Sequence, residues 1–312
     1  MDNFKQQLLA TLEDLCKSIG TKVTTTQVIK QNDVVLNAIC LSPKNSNIGS
    51  NYYVEDLFRQ YQSGSTIMEI ATDILRHNRN DSIFTDNALI APFISRLSSY
   101  DFIKSHLMVR LLNLSSNNQY LLDKVYQPYL RTEDSYELAI CLCIQVPELK
   151  DGNGMITVTQ HLRSHWDVTD DVLFKDALLN TEATSGCRIR SIYEVLTSLT
   201  DAADILETLN NASTEPAMYV MTNNNSFNGA TTILYPNELK SFADDKECNF
   251  YVLPSSTHEV ILVPDTGTID AASIKDMIVQ VNQTMVSPSE VLSNQLFYYS
   301  RTDNRISIYA TS

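Results

Sequence analysis

Phe250-Tyr251-Val252-Leu253-Pro254-Ser255-Ser256-Thr257-His258-Glu259-Val260-Ile261-Leu262-Val263 is the stretch that decides how this chain folds. Two apolar runs, Phe250–Leu253 and Glu259–Val263, carry the aromatic and β-branched residues that favour strands, and a short polar segment joins them. Working outward, Met218–Thr222 and Ala230–Leu234 read as further strands around a polar loop whose Asn228-Gly229 pair is a hairpin signal. Pro236–Ala243 reads as a short helix, and Leu296–Ser300 with Arg305–Tyr309 as a closing hairpin. Asp270 stands where it caps a helix with Ile274, Met277, Ile278 and Val281 on one face. Ser287-Pro288-Ser289-Glu290 combines an N-cap, a proline at the first helical position and capping-box spacing. Residues 213–312 therefore read as an antiparallel sheet with helices on one face, and the chain as α+β.

The preceding residues, 1–212, read as a helix-rich portion with some strands. Phe4, Leu8, Leu12, Leu15 and Ile19 recur at helical spacing up to Gly20. Thr21–Lys30 and Val34–Leu41 form a hairpin pattern around Gln31-Asn32-Asp33. Two helical stripes follow, Val54 to Tyr61 and Ile67 to Leu75, and Thr66 with Glu69 has capping-box spacing. Helix is expected around 86–97 and 100–107, then a strand over Met108–Leu114. Tyr136–Val146 is almost continuously apolar, so a strand covered on both faces is expected. Thr157 and Gln160 suit a short capped helix, Thr169 starts another, and Ile192–Leu199 is helical. The polar run Asn210–Pro216 is the linker between the two portions.

Composition narrows the function classes. The chain has 312 residues, 43% apolar and 19% charged, as an ordinary globular protein does. Its net charge of −14 repels phosphate backbones and anionic lipids, so direct nucleic-acid binding is not expected. Solubility alone accounts for the charge, and a basic protein partner, or mimicry of nucleic acid by the acidic surface, also fits it. Neither a secretory leader nor a span of ~20 apolar residues is visible. The six cysteines have no redox or zinc-knuckle spacing, and we read them as reduced thiols of a cytoplasmic chain. No cofactor motif is present.

Three places carry candidate chemistry. Ser255 or Ser256 with His258, and Glu259 or Asp265 nearby, supplies the residue types of a serine hydrolase. No Gly-x-Ser-x-Gly elbow accompanies them, and a turn bonding its own backbone uses the same residues. Asn223, Asn225, Phe227 and Asn228 form an amide-rich loop suited to a ligand or partner, or simply a hairpin tip. His161 and His165 lie one helical turn apart, a metal-ligand spacing, but lack the glutamate of a zinc protease. A tyrosine cluster at Tyr298, Tyr299 and Tyr309 suits an interface or half-buried strand packing.

Met218-Tyr219-Val220-Met221-Thr222-Asn223, Gly229-Ala230, Ile233-Leu234-Tyr235-Pro236 and the run Leu253-Pro254-Ser255-Ser256-x-His258-Glu259-Val260 together resemble an uncharacterised bacterial family. That family is known as a domain of unknown function from anaerobic gut bacteria. Val281-Asn282, Pro288-x-Glu290-Val291-Leu292-Ser293 and Tyr298-Tyr299 are similar to its end. Tyr52-x-x-x-Asp56-Leu57-Phe58 and Asn180-Thr181 are similar to its earlier landmarks. The resemblance implies a bacterial, cytoplasmic, single chain and brings no catalytic residues with it. His165 departs from the family pattern. The leading expectation is a non-catalytic binding or adaptor protein. A hydrolase built on Ser255 or Ser256 and His258 is the alternative, and an acidic nucleic-acid mimic the third.

Overall fold

A computed structural model of the chain describes residues 1–44, 49–80, 92–147, 154–199, 217–268 and 270–310. It resolves into two units, residues 1–98 with 146–154, and residues 99–145 with 155–312.

In the first unit the amphipathic start forms α1 (Asp2–Cys16), which buries Phe4, Leu8, Leu12 and Cys16. The expected hairpin is β1 (Thr21–Ile29) with β2 (Val35–Pro43), and β3 (Ser50–Tyr53) adds a third antiparallel strand. Asn32 and Asp33 take the left-handed backbone that the turn needs. Next come α2 (Val54–Gln62) and α3 (Ile67–Asn80). The capping box before α3 closes both ways, with the Thr66 N–H donating to Glu69 (2.8 Å) and the Glu69 N–H to Thr66 Oγ1 (3.2 Å). The core joins Leu8 and Leu12 to Ile39, Leu41, Val54 and Ile70.

The second unit holds two antiparallel sheets. The first has β4 (Leu107–Asn113), β5 (Tyr126–Arg131), β6 (Tyr136–Gln145) and the short β7 (Met155–Thr157). β6 lies in the middle between β4 and β5. Its alternate residues pack in two clusters, Leu138 and Ile140 with Leu111, and Ala139 and Cys141 with Leu112, so both faces are covered as its apolar run requires. Ahead of β4, the expected helix over 100–107 is only α4 (Tyr100–Ile103) followed by a 3-10 turn. Thr157 does not start a helix, because it pairs with Cys143 as part of β7. The cap of α5 (Gln160–Arg163) is Thr159, whose Oγ1 accepts from the Leu162 N–H at 3.1 Å. Then α6 (Asp170–Ser185) covers the open edge of β4. Thr181 Oγ1 accepts from the Val109 N–H at 2.9 Å, and Asn180 donates to Leu107 O at 3.1 Å. The Asn180-Thr181 landmark thus caps a sheet edge.

The second sheet has β8 (Arg188–Ser191), β9 (Tyr219–Thr222), β10 (Phe250–Leu253), β11 (Val260–Pro264), β12 (Phe297–Ser300) and β13 (Arg305–Ile308), in the order β13-β12-β10-β11-β9-β8. Helix α7 (Ile192–Leu199) follows β8. The expected linker, 210–216, and residues 86–91 of the expected helix at 86–97 lie outside the described residues, and of the rest 92–94 are helical. Strands β8 and β9 stand on either side of position 212/213 and pair in this one sheet. On one face of the sheet Tyr251, Leu253 and Val263 pack with Ile274 and Ile278 of α9 (Ala271–Thr284). On the other, Phe250, Val252 and Leu262 join Leu239 and Ala243 of α8 (Glu238–Lys246) and Leu111, Leu130 and Leu138 of the first sheet. As expected, Asp270 caps α9, accepting from the Ala272 and Ser273 N–H groups.

Two expected elements are absent. Ala230–Leu234 belongs to a 3-10 turn, Gly229–Leu234, not a strand. β9 already has β8 on one edge and β11 on the other, so no edge is free for a hairpin partner. The Thr231 and Thr232 hydroxyls bond back to Asn228 O and Gly229 O at 2.8 and 2.7 Å, which winds the segment. Nor does Ser287–Glu290 open a helix. The Glu290 N–H closes a turn onto Ser287 O at 2.8 Å, and the following residues run along the 255–257 segment instead. No helix among the described residues is long and apolar enough to cross a membrane.

Candidate functional site

The amide-rich loop after β9 is built by one buried side chain. Asn223 Oδ1 accepts from the Asn225 and Phe227 N–H groups at 3.2 and 3.3 Å, and its Nδ2 donates to Phe227 O at 2.8 Å. Arg188, from the neighbouring β8, donates to Asn223 O (3.0 Å), Asn224 O (2.9 Å) and Ser226 Oγ (3.2 Å). A single guanidinium fork thus holds three acceptors of the loop. Asn228 turns the chain with a left-handed backbone, φ 53°. Gly229 then passes so close to β9 and the Ser255–Glu259 turn that a Cβ there would lie 2.1 Å from Thr222 Oγ1 and 2.3 Å from His258 O.

The turn between β10 and β11 is equally tied. Ser256 Oγ accepts from the His258 main-chain N–H at 3.0 Å and its hydroxyl also reaches the Glu259 carboxyl. The Thr257 N–H donates to Glu290 O (2.9 Å), and the Leu292 and Ser293 N–H groups return to Ser255 O and Pro254 O. Thr222 donates its hydroxyl to His258 O at 2.7 Å. Burial pushes the Glu259 carboxyl above its ordinary range.

Both stretches meet at the His258 ring. Its Nδ1 accepts the Asn228 N–H at 3.2 Å, its Nε2 stands 3.5 Å from Glu290 Oε1, and the Phe227 ring lies 5.4 Å away centre to centre. Because a main-chain N–H donates to Nδ1, that nitrogen carries no proton, and the neutral ring holds its hydrogen on Nε2, toward Glu290. The fold brings together two stretches that the sequence presents separately.

The other candidate residues have separate places. Asp265 accepts from the Tyr298 hydroxyl (2.7 Å) and the Gly267 N–H (3.0 Å), and the carboxylate beside His258 is Glu290. Ser255 is half-buried, and its carbonyl is used by Leu292. Asn223 and Asn228 are buried and Phe227 is half-buried, which leaves Asn225 exposed. His161 and His165 meet edge-on at 5.2 Å between ring centres. Among the described residues no group of three or more His, Cys, Asp or Glu is placed to hold a metal. Tyr298 and Tyr309 pack with Tyr251 as a triangle of rings 5.4 to 5.7 Å apart. The six cysteines are free. Arg188 and Glu290 were not candidates in the sequence. Arg188 carries no local signal, and the spacing of Glu290 from Ser287 pointed to helix capping.

A profile described as a family of unknown function matches residues 1–301. No curated protein matches the chain, and neither does any solved structure.

Proposed function

Since the chain belongs to DUF5688, a family of unknown function, we propose from its chemistry alone that it is a non-catalytic binding protein. In this proposal it works in the cytoplasm and engages a basic protein partner through its acidic surface. The observation that carries this is the state of His258. One ring nitrogen accepts the Asn228 N–H and the other faces Glu290. A serine hydrolase needs a hydroxyl on that imidazole. The Ser256 hydroxyl instead accepts the main-chain N–H of His258 and reaches Glu259. The net charge of −14 supports a basic partner, and the free thiols support a reducing compartment.

The test isolates the tagged full chain from its native lysate, identifies a stoichiometric basic protein and measures the affinity of the purified pair against salt. Affinity is expected to fall at least about tenfold between roughly 50 and 500 mM salt, because screening acts on exposed charge. An affinity indifferent to salt overturns the basic-partner assignment. Turnover of simple esters or peptides that Ser256→Ala and His258→Ala both abolish overturns the non-catalytic one.

A further inference from the structure

The edge strands β5 and β13, one from each sheet of the second unit, come side by side without forming a ladder. A cleft of about 790 Å3 opens along them, within the ~300–1,000 Å3 range of small-molecule sites. Apolar side chains such as Leu130, Ile140, Ile233 and Leu239 line it, with the rings of Tyr129 and Tyr299. Two arginines, Arg131 and Arg305, also line it, and none of the described lining residues is Asp or Glu. In a chain of 37 acidic and 23 basic residues, this lining carries two positive side chains and no negative one among the described residues. Both arginines are exposed, and among the described residues neither is ion-paired.

The backbone is strained at the same place. Leu130 has φ 55°, a conformation unfavourable for a bulky residue. A regular strand sends neighbours to opposite faces, yet Tyr129 and Leu130 both pack on the core beside the cleft. Strain of this kind persists where the surroundings demand it, and it clusters at ligand sites.

We propose that this cleft binds a small amphipathic anion, an apolar body carrying one carboxylate or phosphate head. The apolar floor takes the body. The guanidinium groups of Arg131 and Arg305 take the head, since their forked donors match the paired oxygens of either group. Tyr129 supports them as a donor, because burial pushes its phenol up to about 12 against the opposing charge of Arg305, so it stays protonated at neutral pH. A cation is disfavoured by the same arginines, and a neutral alcohol gains only from the floor. The site is independent of the His258 region.

Calorimetric titration of the full chain with octanoate, octyl phosphate, 1-octanol and octylammonium, all below micellar concentration, tests this. The better of the two anions is expected to bind at least about tenfold more tightly than octanol, the scale of charge-assisted hydrogen bonds, and octylammonium most weakly. The ranking of octanoate against octyl phosphate identifies the head group. The double variant Arg131→Gln/Arg305→Gln should erase the gap between anion and alcohol while octanol affinity stays within about twofold, which also shows that the floor is intact. Equal affinity for anion, alcohol and cation overturns the proposal. So does an undiminished anion preference in the double variant, or no binding by any of the four.

Discussion

Within the second unit, the surroundings of His258 and the cleft between β5 and β13 invert each other. Around His258 the polar side chains are engaged. Asn223, Arg188, Thr222 and Ser256 each hold a main-chain group, and Glu290 faces the imidazole. Beside the cleft the residues are ordinary strand formers, yet open volume, strained backbone and unpaired charge coincide there. Hydroxyls, amides and imidazoles that crowd into a short turn are the groups best able to satisfy its otherwise orphaned backbone, and those around His258 bond main-chain groups. Room for a ligand arises where two sheet edges meet without pairing.

If the His258 region is a braced junction, removing its braces must cost stability. The largest loss is expected from Gly229→Ala, whose Cβ would press on Thr222 Oγ1 and on the main-chain oxygen of His258. Backbone must move to admit it, at about 3 kcal/mol, read as a lowered urea midpoint. An unchanged midpoint would break the comparison, because the two stretches would then not be tightly seated on each other. Asn223→Ala strips three hydrogen bonds from a side chain only 3% exposed. It should cost about 2 kcal/mol and speed amide exchange over residues 224–228. Loss of stability without faster exchange there would place its role elsewhere than in the loop.

The smallest effect is expected from Glu259→Gln, and its sign depends on pH. Burial raises the Glu259 carboxyl above its ordinary 4.5, so ionising it in the folded chain costs stability as pH climbs through the raised value. Below 4.5 the carboxyl is protonated in both states and the cost is absent. Glu259→Gln should therefore be more stable than the parent at neutral pH, with the advantage shrinking to nothing in acid. Paired urea titrations at about pH 4 and pH 7.5 check it. A variant less stable at neutral pH would mean that the bond from Ser256 outweighs burial.

Local chemistry made much of the fold legible. The Thr66–Glu69 box, the Asp270 cap and the unbroken apolar run of β6 each contain their own explanation within a few residues. The exceptions have a common form. Ala230–Leu234 has strand composition but finds both edges of β9 occupied. Glu290 has the spacing of a helix cap but faces His258, while its main chain supports Thr257. At the candidate site the residues were visible as two stretches, with Phe227 in the first and His258 in the second. The tilted contact of Phe227 with the His258 ring spans thirty-one positions of sequence, which no local pattern encodes.

By itself, the sequence determined what short-range physics sets: an α+β chain, an antiparallel sheet over its last strands, the caps at Thr66 and Asp270, and a net charge of −14. Side-chain periodicity and capping act over a few residues, so they can be read in order along the chain. Tertiary structure alone decided which nitrogen of His258 carries its hydrogen, which carboxylate faces it, and that two sheet edges leave a cleft flanked by Arg131 and Arg305. Those outcomes depend on segments distant in sequence competing for the same edges and hydrogen-bonding groups, and only the folded chain settles that competition.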